Sequence, residues 1–547
     1  MAATDASRYA GMCLSNLACA RENRIPIVAA GGLPPLCALA SASGRIEVQR
    51  AAALALYNLS GAAANHAPMA AGGGANALVV LTRCDDVDCR RFAVMALANL
   101  AADAATRAVA TRGGGLQAAV RLCGDDDNEC RQYAAVALCN MAADRAARTA
   151  AVVHGALPPV LAMIADKAAA TAMERDNARR SAGKSRDSRN GKRGGANAGK
   201  DGDSGAEDDG GSSDADARRH AAMALGNLAA DDANHPAMIA RGALPALLAL
   251  ATRAPEPDVR EYAAFALANL ASNADYLDSI ARHGGVAPLV ALAGGAGGPN
   301  AQCLGMSALR RLATAPENRT ALVEGGAVLA AAAAAATSAG GGTEVELARE
   351  AAACLCNLSL SPPDRVAVAA SSVPALVRLA QGGDLEASRQ AIGALANLAE
   401  DPATHAAVTA AGGPASLVAL TRHESMDVYR EASRAICNLL TSLEHQTAVA
   451  RVGVPALVAL AAVADVECQY HAALCFRKMS PNLATHAAIV EAGALPALFG
   501  LLKSRDAKAR RHAAAAARDL SAHAAHKMRF AADGGVTAMV ALALERD

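Results

Sequence analysis

One short phrase recurs along this 547-residue chain, and it leaves few folds open. It reads LSNLA at 14–18, LYNLS at 56–60, LANLA at 97–101 and LCNMA at 138–142. It continues as LGNLA at 225–229, LANLA at 267–271, LCNLS at 355–359, LANLA at 395–399 and ICNLL at 436–440. Degenerate copies centre on Arg311, Lys478 and Asp519. Counted from the central Asn, the spacings are 42, 41, 41, 87, 42, 42, 46, 40, 41, 40 and 41. The 87 is one period plus an insertion. A fixed period of this length predicts a solenoid, in which each unit buries its apolar face only against its neighbours.

Each unit has the same grammar. A short polar-then-apolar stretch such as DANHPAMIARG (232–242) ends on Gly, the residue that most readily closes a helix. A second stretch such as ALPALLALA (243–251) carries Pro near its start, where a helix tolerates it. A polar turn leads to a long helix, VREYAAFALANLAS (259–272). Aromatics are only 2% of the chain and Ala is abundant, which favours closely packed helices. No segment alternates with period two for a useful length, so strands are not expected.

Within this frame most chemically suggestive residues are ordinary. Cys89, Cys130 and Cys468 fall where other units have Val48, Val259 and Val428. Cys139, Cys356 and Cys437 fall where Ala stands elsewhere, so the thiols replace small core residues. Neither a C-x-x-C pair nor a Cys/His zinc spacing is present. His66, His235, His405, His445, His486 and His526 are read as one repeated position, taken by Arg24, Arg107, Arg319 or Arg365 in other units. That makes it a helix-start feature. The Gly-rich AGGGA (71–75) and RGGGL (112–116) lack the Lys-Ser/Thr of a phosphate loop. No catalytic, cofactor or metal residue is assigned, and a non-enzymatic chain without cofactor is expected.

The Asn row differs, because a mid-helix Asn costs helix propensity. It comprises Asn16, Asn58, Asn99, Asn140, Asn227, Asn269, Asn357, Asn397 and Asn438. An amide donates and accepts at once, so either a peptide unit or a bond between repeats would suit it. Helical spacing brings further residues near that face. Met95, Met223 and Phe265 stand four residues earlier, and Phe92, Tyr133 and Tyr262 seven earlier. Arg50, Arg91 and Arg219 stand eight earlier and predict a basic margin. Met and aromatics suit protein recognition, although buried Met is also common core. In the second half the four-earlier residues change to Ser307, Ala353, Gly393 and Arg434, so weaker or different binding is expected there.

The period and three-helix grammar resemble the armadillo repeat, with about eleven complete units and a partial one at each end. The resemblance implies an all-α, right-handed armadillo superhelix over residues 1–166 and 218–547. In armadillo proteins the matching Asn holds the main chain of an extended peptide. The resemblance therefore implies a protein–protein adaptor or scaffold, here for acidic and apolar segments, in which replacing Asn99 and Asn140 weakens binding and leaves folding nearly unchanged. Units such as VQRAAALALYNLS (48–60) most resemble the vacuolar-protein-8 type of scaffold. The substrate-recognition subunit of a ubiquitin ligase is the alternative. An importin-α-like adaptor fits less well, since those proteins place Trp four residues before the Asn and this chain has none.

Lys+Arg and Asp+Glu are both 52, which predicts no nucleic-acid partner, and no small-molecule substrate is expected. MAATDASRYA is not an apolar leader, and Ala2 replaces the glycine of myristoylation. A cytoplasmic place is expected, with nuclear or membrane-peripheral placement as alternatives. Membrane association is expected only if indirect or through acylation elsewhere. Residues 167–217 combine a basic run (173–200) with an acidic one (201–216) and are expected to be a disordered insertion.

Overall fold

Asp, Gly and Pro at fixed places in each period cut the chain into helices, and the structure follows that punctuation. The computed structural model describes residues 5–41, 45–165, 210–336, 342–420 and 425–544. Among the described residues there is no strand. The chain divides into two compact units, Met1–Leu270 and Ala271–Asp547.

In the first unit an opening helix, Asp5–Cys19, is followed by five repeats. Their long third helices are Ile46–Ser60, Val87–Ala102, Asn128–Met141, Gly210–Ala229 and Pro257–Leu270. In the second unit the third helices of six repeats are Pro299–Leu312, Thr343–Ser359, Leu385–Leu398, Met426–Leu439, Val466–Met479 and Ala507–Ala522. Lys527–Ala532 and Gly535–Leu544 begin one more. The eleven repeats and two partial ends are those expected.

Several third helices start on side-chain caps. Asp86 accepts the N–H of Cys89 at 2.9 Å, Asp127 that of Cys130 at 2.9 Å, and Asp465 that of Cys468 at 2.9 Å. Each supplies an acceptor for an N–H that the helix leaves unpaired. The core comes from the recurring Leu: Leu56, Leu97, Leu138, Leu225 and Leu267 in the first unit, Leu355 and Leu395 in the second, all at 0% exposure. Each such burial stabilises by roughly 1.5–3 kcal/mol.

Gly decides whether the first and second helices separate. Gly242, at φ +76°, ends His235–Ala240 and lets Ala243–Arg253 leave in a new direction. Two repeats lack a left-handed Gly there, reading SSVPAL (371–376) and VGVPAL (452–457). In both the two helices run on as one, Arg365–Ala380 and Leu443–Ala462, with Pro374 and Pro455 inside.

The insertion is corrected at one end. The third helix after it begins at Gly210, inside the span assigned to the insertion, and Ala217 is buried. Residues 167–209 lie outside the described residues. Among the described residues no single helix is long and apolar enough to cross a membrane.

Gly242→Ala should destabilise by about 1–2 kcal/mol, from backbone conformation alone, because an added Cβ meets nothing within 4 Å. Gly453→Ala should be neutral or stabilising by up to about 1 kcal/mol, since Gly453 lies inside a continuous helix and its Cβ would make ordinary contacts at 3.6 and 3.7 Å. Urea midpoints of the two variants check this, and equal losses would contradict it.

Candidate functional site

The ends of many third helices are tied off by the next short helix. His66 bonds the Ser60 carbonyl at 2.8 Å, His405 that of Ala399 at 2.8 Å, and His486 that of Ser480 at 2.7 Å. Arg24, Arg107 and Arg319 do the same for Ala18, Ala101 and Ala313 at 3.2, 2.9 and 3.0 Å. His and Arg interchange because both donate to a carbonyl that the helix leaves open. Two members of the expected row are corrected. Gln446, not His445, makes this bond, to Leu440 at 3.0 Å. Lys527, not His526, opens its helix as His405 does. Both histidines therefore stand one residue earlier in the frame.

The Asn ladder joins successive third helices. Asn140 donates to the Ala98 carbonyl at 3.1 Å and Asn227 to that of Cys139 at 3.1 Å. Asn269 donates to Gly226 at 3.2 Å, Asn357 to Arg310 at 3.2 Å and Asn438 to Ala396 at 3.2 Å. The acceptor is always the residue just before the ladder position of the preceding repeat. Where Ser follows the ladder position by two, its hydroxyl is interposed. Asn99 donates to Ser60 Oγ at 3.0 Å, which donates to the Tyr57 carbonyl at 2.7 Å. Asn397 reaches Ser359 Oγ at 3.1 Å, which donates to Cys356 at 2.6 Å. Asn58 meets Cys19 Sγ at 3.6 Å, and Asn16, on the opening helix, is exposed. Lys478 preserves the bond at a degenerate position, donating to Cys437 at 2.8 Å. Of the two roles open for the Asn, the amide nitrogens take the bond between repeats.

The Arg margin is a second ladder. Arg50 pairs with the capping Asp86 of the next repeat and lies 3.4 Å from Asp88. Arg91 donates to Asp127 at 2.8 Å and lies 3.3 Å from Glu129. Arg219 is 3.4 Å from Asp258, and Arg430 pairs with Asp465 at 2.8 Å. The expected basic margin is thus corrected: each of Arg50, Arg91 and Arg430 sits between carboxylates. The Arg50 hydrogen bond and the Cys89 N–H hold the Asp86 carboxyl down to about 2 against its partial burial, which acts upward.

The Met and aromatic residues are neither core nor fully exposed. Phe92, Met95 and Asn99 are half-buried on one face of Val87–Ala102, as are Tyr262, Phe265 and Asn269 on Pro257–Leu270. Tyr133 and Met223 are half-buried at the matching places. Phe92 stacks on Tyr57, with centroids 5.8 Å apart at 22°. A Cβ on Gly226 would lie 2.7 Å from the Phe265 ring, so that ring lies over the glycine. Tyr57 escaped the sequence reading because no other repeat carries an aromatic at its position.

The second unit is built differently here. Gly393 is buried, and Arg434 reaches Asn397 Oδ1 at 2.9 Å and Glu400 at 2.9 Å. Asn397 therefore has partners on both its nitrogen and its oxygen. The core placement of the thiols holds for Cys89, Cys130 and Cys468, and burial pushes the Cys130 and Cys468 thiols up to about 12.

Two family models match parts of the chain: an armadillo/beta-catenin-like repeat at residues 20–61 and a HEAT-like repeat at residues 216–270. A crystal structure of an engineered protein from the Northeast Structural Genomics Consortium is similar at 26% identity. That match covers 82% of this chain and 98% of the other, with a TM-score of 0.60. A structure from work on a conserved phosphorylation switch controlling the interaction between cadherin and beta-catenin is similar at 14% identity. It covers 93% of this chain and 100% of that one, with a TM-score of 0.63. No curated protein matches the chain. Repeat grammar, inter-repeat ladders and these likenesses define an all-α armadillo-repeat solenoid.

Asn99→Ala should lower stability by about 0.5–1.5 kcal/mol through loss of the Ser60 bond, whereas Asn16→Ala should change little. Chemical denaturation of both variants checks this, and it replaces the expectation that folding is indifferent to Asn99. Because the folded Asp86 pKa is depressed, its contribution is present above the ordinary value of 3.8 and is lost as pH falls towards about 2. Carboxyl-resolved NMR titration should show Asp86 titrating well below the ordinary aspartate value. Titration at the ordinary value would contradict the pairing.

Proposed function

We propose that the chain is a protein–protein adaptor whose first unit takes an extended segment across the third helices from Asn16 to Asn269. The observation that carries this reading is the half-exposed row of Phe92, Met95, Tyr133, Met223, Tyr262 and Phe265 at repeated positions. An extended strand laid across parallel helices drops alternate side chains between them, where Met adapts and aromatics anchor. The amide oxygens of Asn99 and Asn140 are turned to no partner among the described residues and suit a main-chain N–H. Recognition is chiefly apolar. The acidic preference loses its charge support once each margin Arg is flanked by carboxylates. The second unit is the poorer site, because Arg434 already holds Asn397. A scaffold of the vacuolar-protein-8 type is the form of adaptor that the repeat phrases favour.

The test starts from peptides selected on the wild-type chain from a random-peptide display library. Phe92→Ser with Met95→Ser should weaken the selected peptides by roughly 1–3 kcal/mol, or about 5- to 150-fold. Leu474→Ser, at the matching four-earlier position in the second unit, should leave binding unchanged. Affinity should vary little between low and moderate salt. Peptides that are uniformly acidic and lost at moderate salt, or that ignore the first-unit variants, would overturn the reading.

A further inference from the structure

At two junctions the imidazole that ties off a third helix lies beside the residue that opens the next repeat. His66 Nδ1 is 3.5 Å from Asp103 Oδ2, and His405 Nδ1 meets Ser442 Oγ at 2.8 Å. Asp103 and Ser442 are the helix-opening residues of the following repeats. At the last junction of the second unit that residue is His523. Asn482, its counterpart one repeat earlier, caps the N–H of Ala484. His523 makes no such side-chain cap.

At this junction no carboxylate or hydroxyl side chain stands in the opening position beside His486. His486 is 3% exposed, its Nε2 bonds the Ser480 carbonyl at 2.7 Å, and its Nδ1 is buried with no partner. A carbonyl accepts only from N–H, so Nε2 carries the proton and Nδ1 presents a lone pair. An unpaired buried acceptor is a cost that a folded chain ordinarily avoids. His523 and His526 pack against this ring. Their ring centroids lie 5.8 and 5.4 Å from that of His486 and 5.0 Å from each other. One nitrogen from each of the three rings falls within 4.8 Å of the others.

We propose that His486, His523 and His526 form a three-histidine site for a divalent transition-metal ion of the zinc class. Three imidazoles select such an ion over calcium or magnesium, which take oxygen ligands. In a tetrahedral site, bonds of about 2.0–2.1 Å space the nitrogens by about 3.4 Å, which modest turning of the exposed His523 and half-buried His526 supplies. The Ser480 carbonyl serves as the outer partner that fixes the tautomer and orientation of a metal-bound imidazole. Water on the exposed side completes the coordination. The ion would pin the closing partial repeat, Lys527–Leu544, onto the last complete one.

The test uses the full, untagged chain with metal salts alone. Titration with cobalt(II) should give tetrahedral d–d absorption at one ion per chain, displaced by one equivalent of zinc(II). His523→Asn restores the capping residue of the preceding repeat and removes one ligand. It should fold as the wild type does and weaken zinc binding by more than about tenfold. Zinc should raise the melting temperature of the wild type, and chelator should reverse the rise. Absent tetrahedral bands, or equal zinc affinity in wild type and His523→Asn, would overturn the proposal.

Discussion

A hydrogen bond between neighbouring third helices governs the rest of this structure. In a solenoid a repeat meets only its neighbours, so each junction must fix distance and register with few residues. Here the amide nitrogen of one Asn reaches the carbonyl just before the equivalent position one repeat back, as Asn140 reaches Ala98 and Asn438 reaches Ala396. The bond survives changes in chemistry. Serine hydroxyls relay it from Asn99 and Asn397, and Lys478 replaces the amide with an ammonium. The Arg–Asp pairs repeat the device eight residues earlier, where Arg91 and Arg430 reach the cap of the following helix.

These two ladders also define what is left for a partner. Between them lie the positions four and seven residues before the Asn, which take no part in either ladder in the first unit. There Met95, Phe92, Tyr262 and Phe265 remain half-exposed. In the second unit the same positions hold Gly393 and Arg434, and Arg434 closes the rung at Asn397. One backbone plan therefore gives an apolar strip in one unit and an internally paired one in the other. Charge adds little to either, since Arg50, Arg91, Arg219 and Arg430 are each paired within the molecule.

Much of this was legible in the sequence because it is local or strictly periodic. The period gave repeat count and buried Leu positions. Gly242 marked a break, and its absence before Pro374 and Pro455 accounts for the two fused helices. What the sequence could not show were partners one repeat away. Arg50 and Arg91 read as a basic margin because Asp86 and Asp127 look like simple helix caps. The Asn read equally well as peptide ligand or as staple, since an amide suits both. His445 and His526 were misaligned by one residue, which only the bonds of Gln446 and the start at Lys527 reveal. His486 and His523 are far apart in sequence, so nothing local joins them.

The central claim is that the half-exposed strip of the first unit is where a partner lies. Methyl NMR of the methionine-labelled chain with a library-selected peptide tests it most directly. Met95 and Met223 border the strip, whereas Met69, Met238 and Met306 are fully buried and Met528 is 82% exposed in the second unit. The account predicts that Met95 and Met223 shift on saturation while Met69, Met306 and Met528 hold their positions. Shifts at Met528 with Met95 and Met223 unmoved would contradict it.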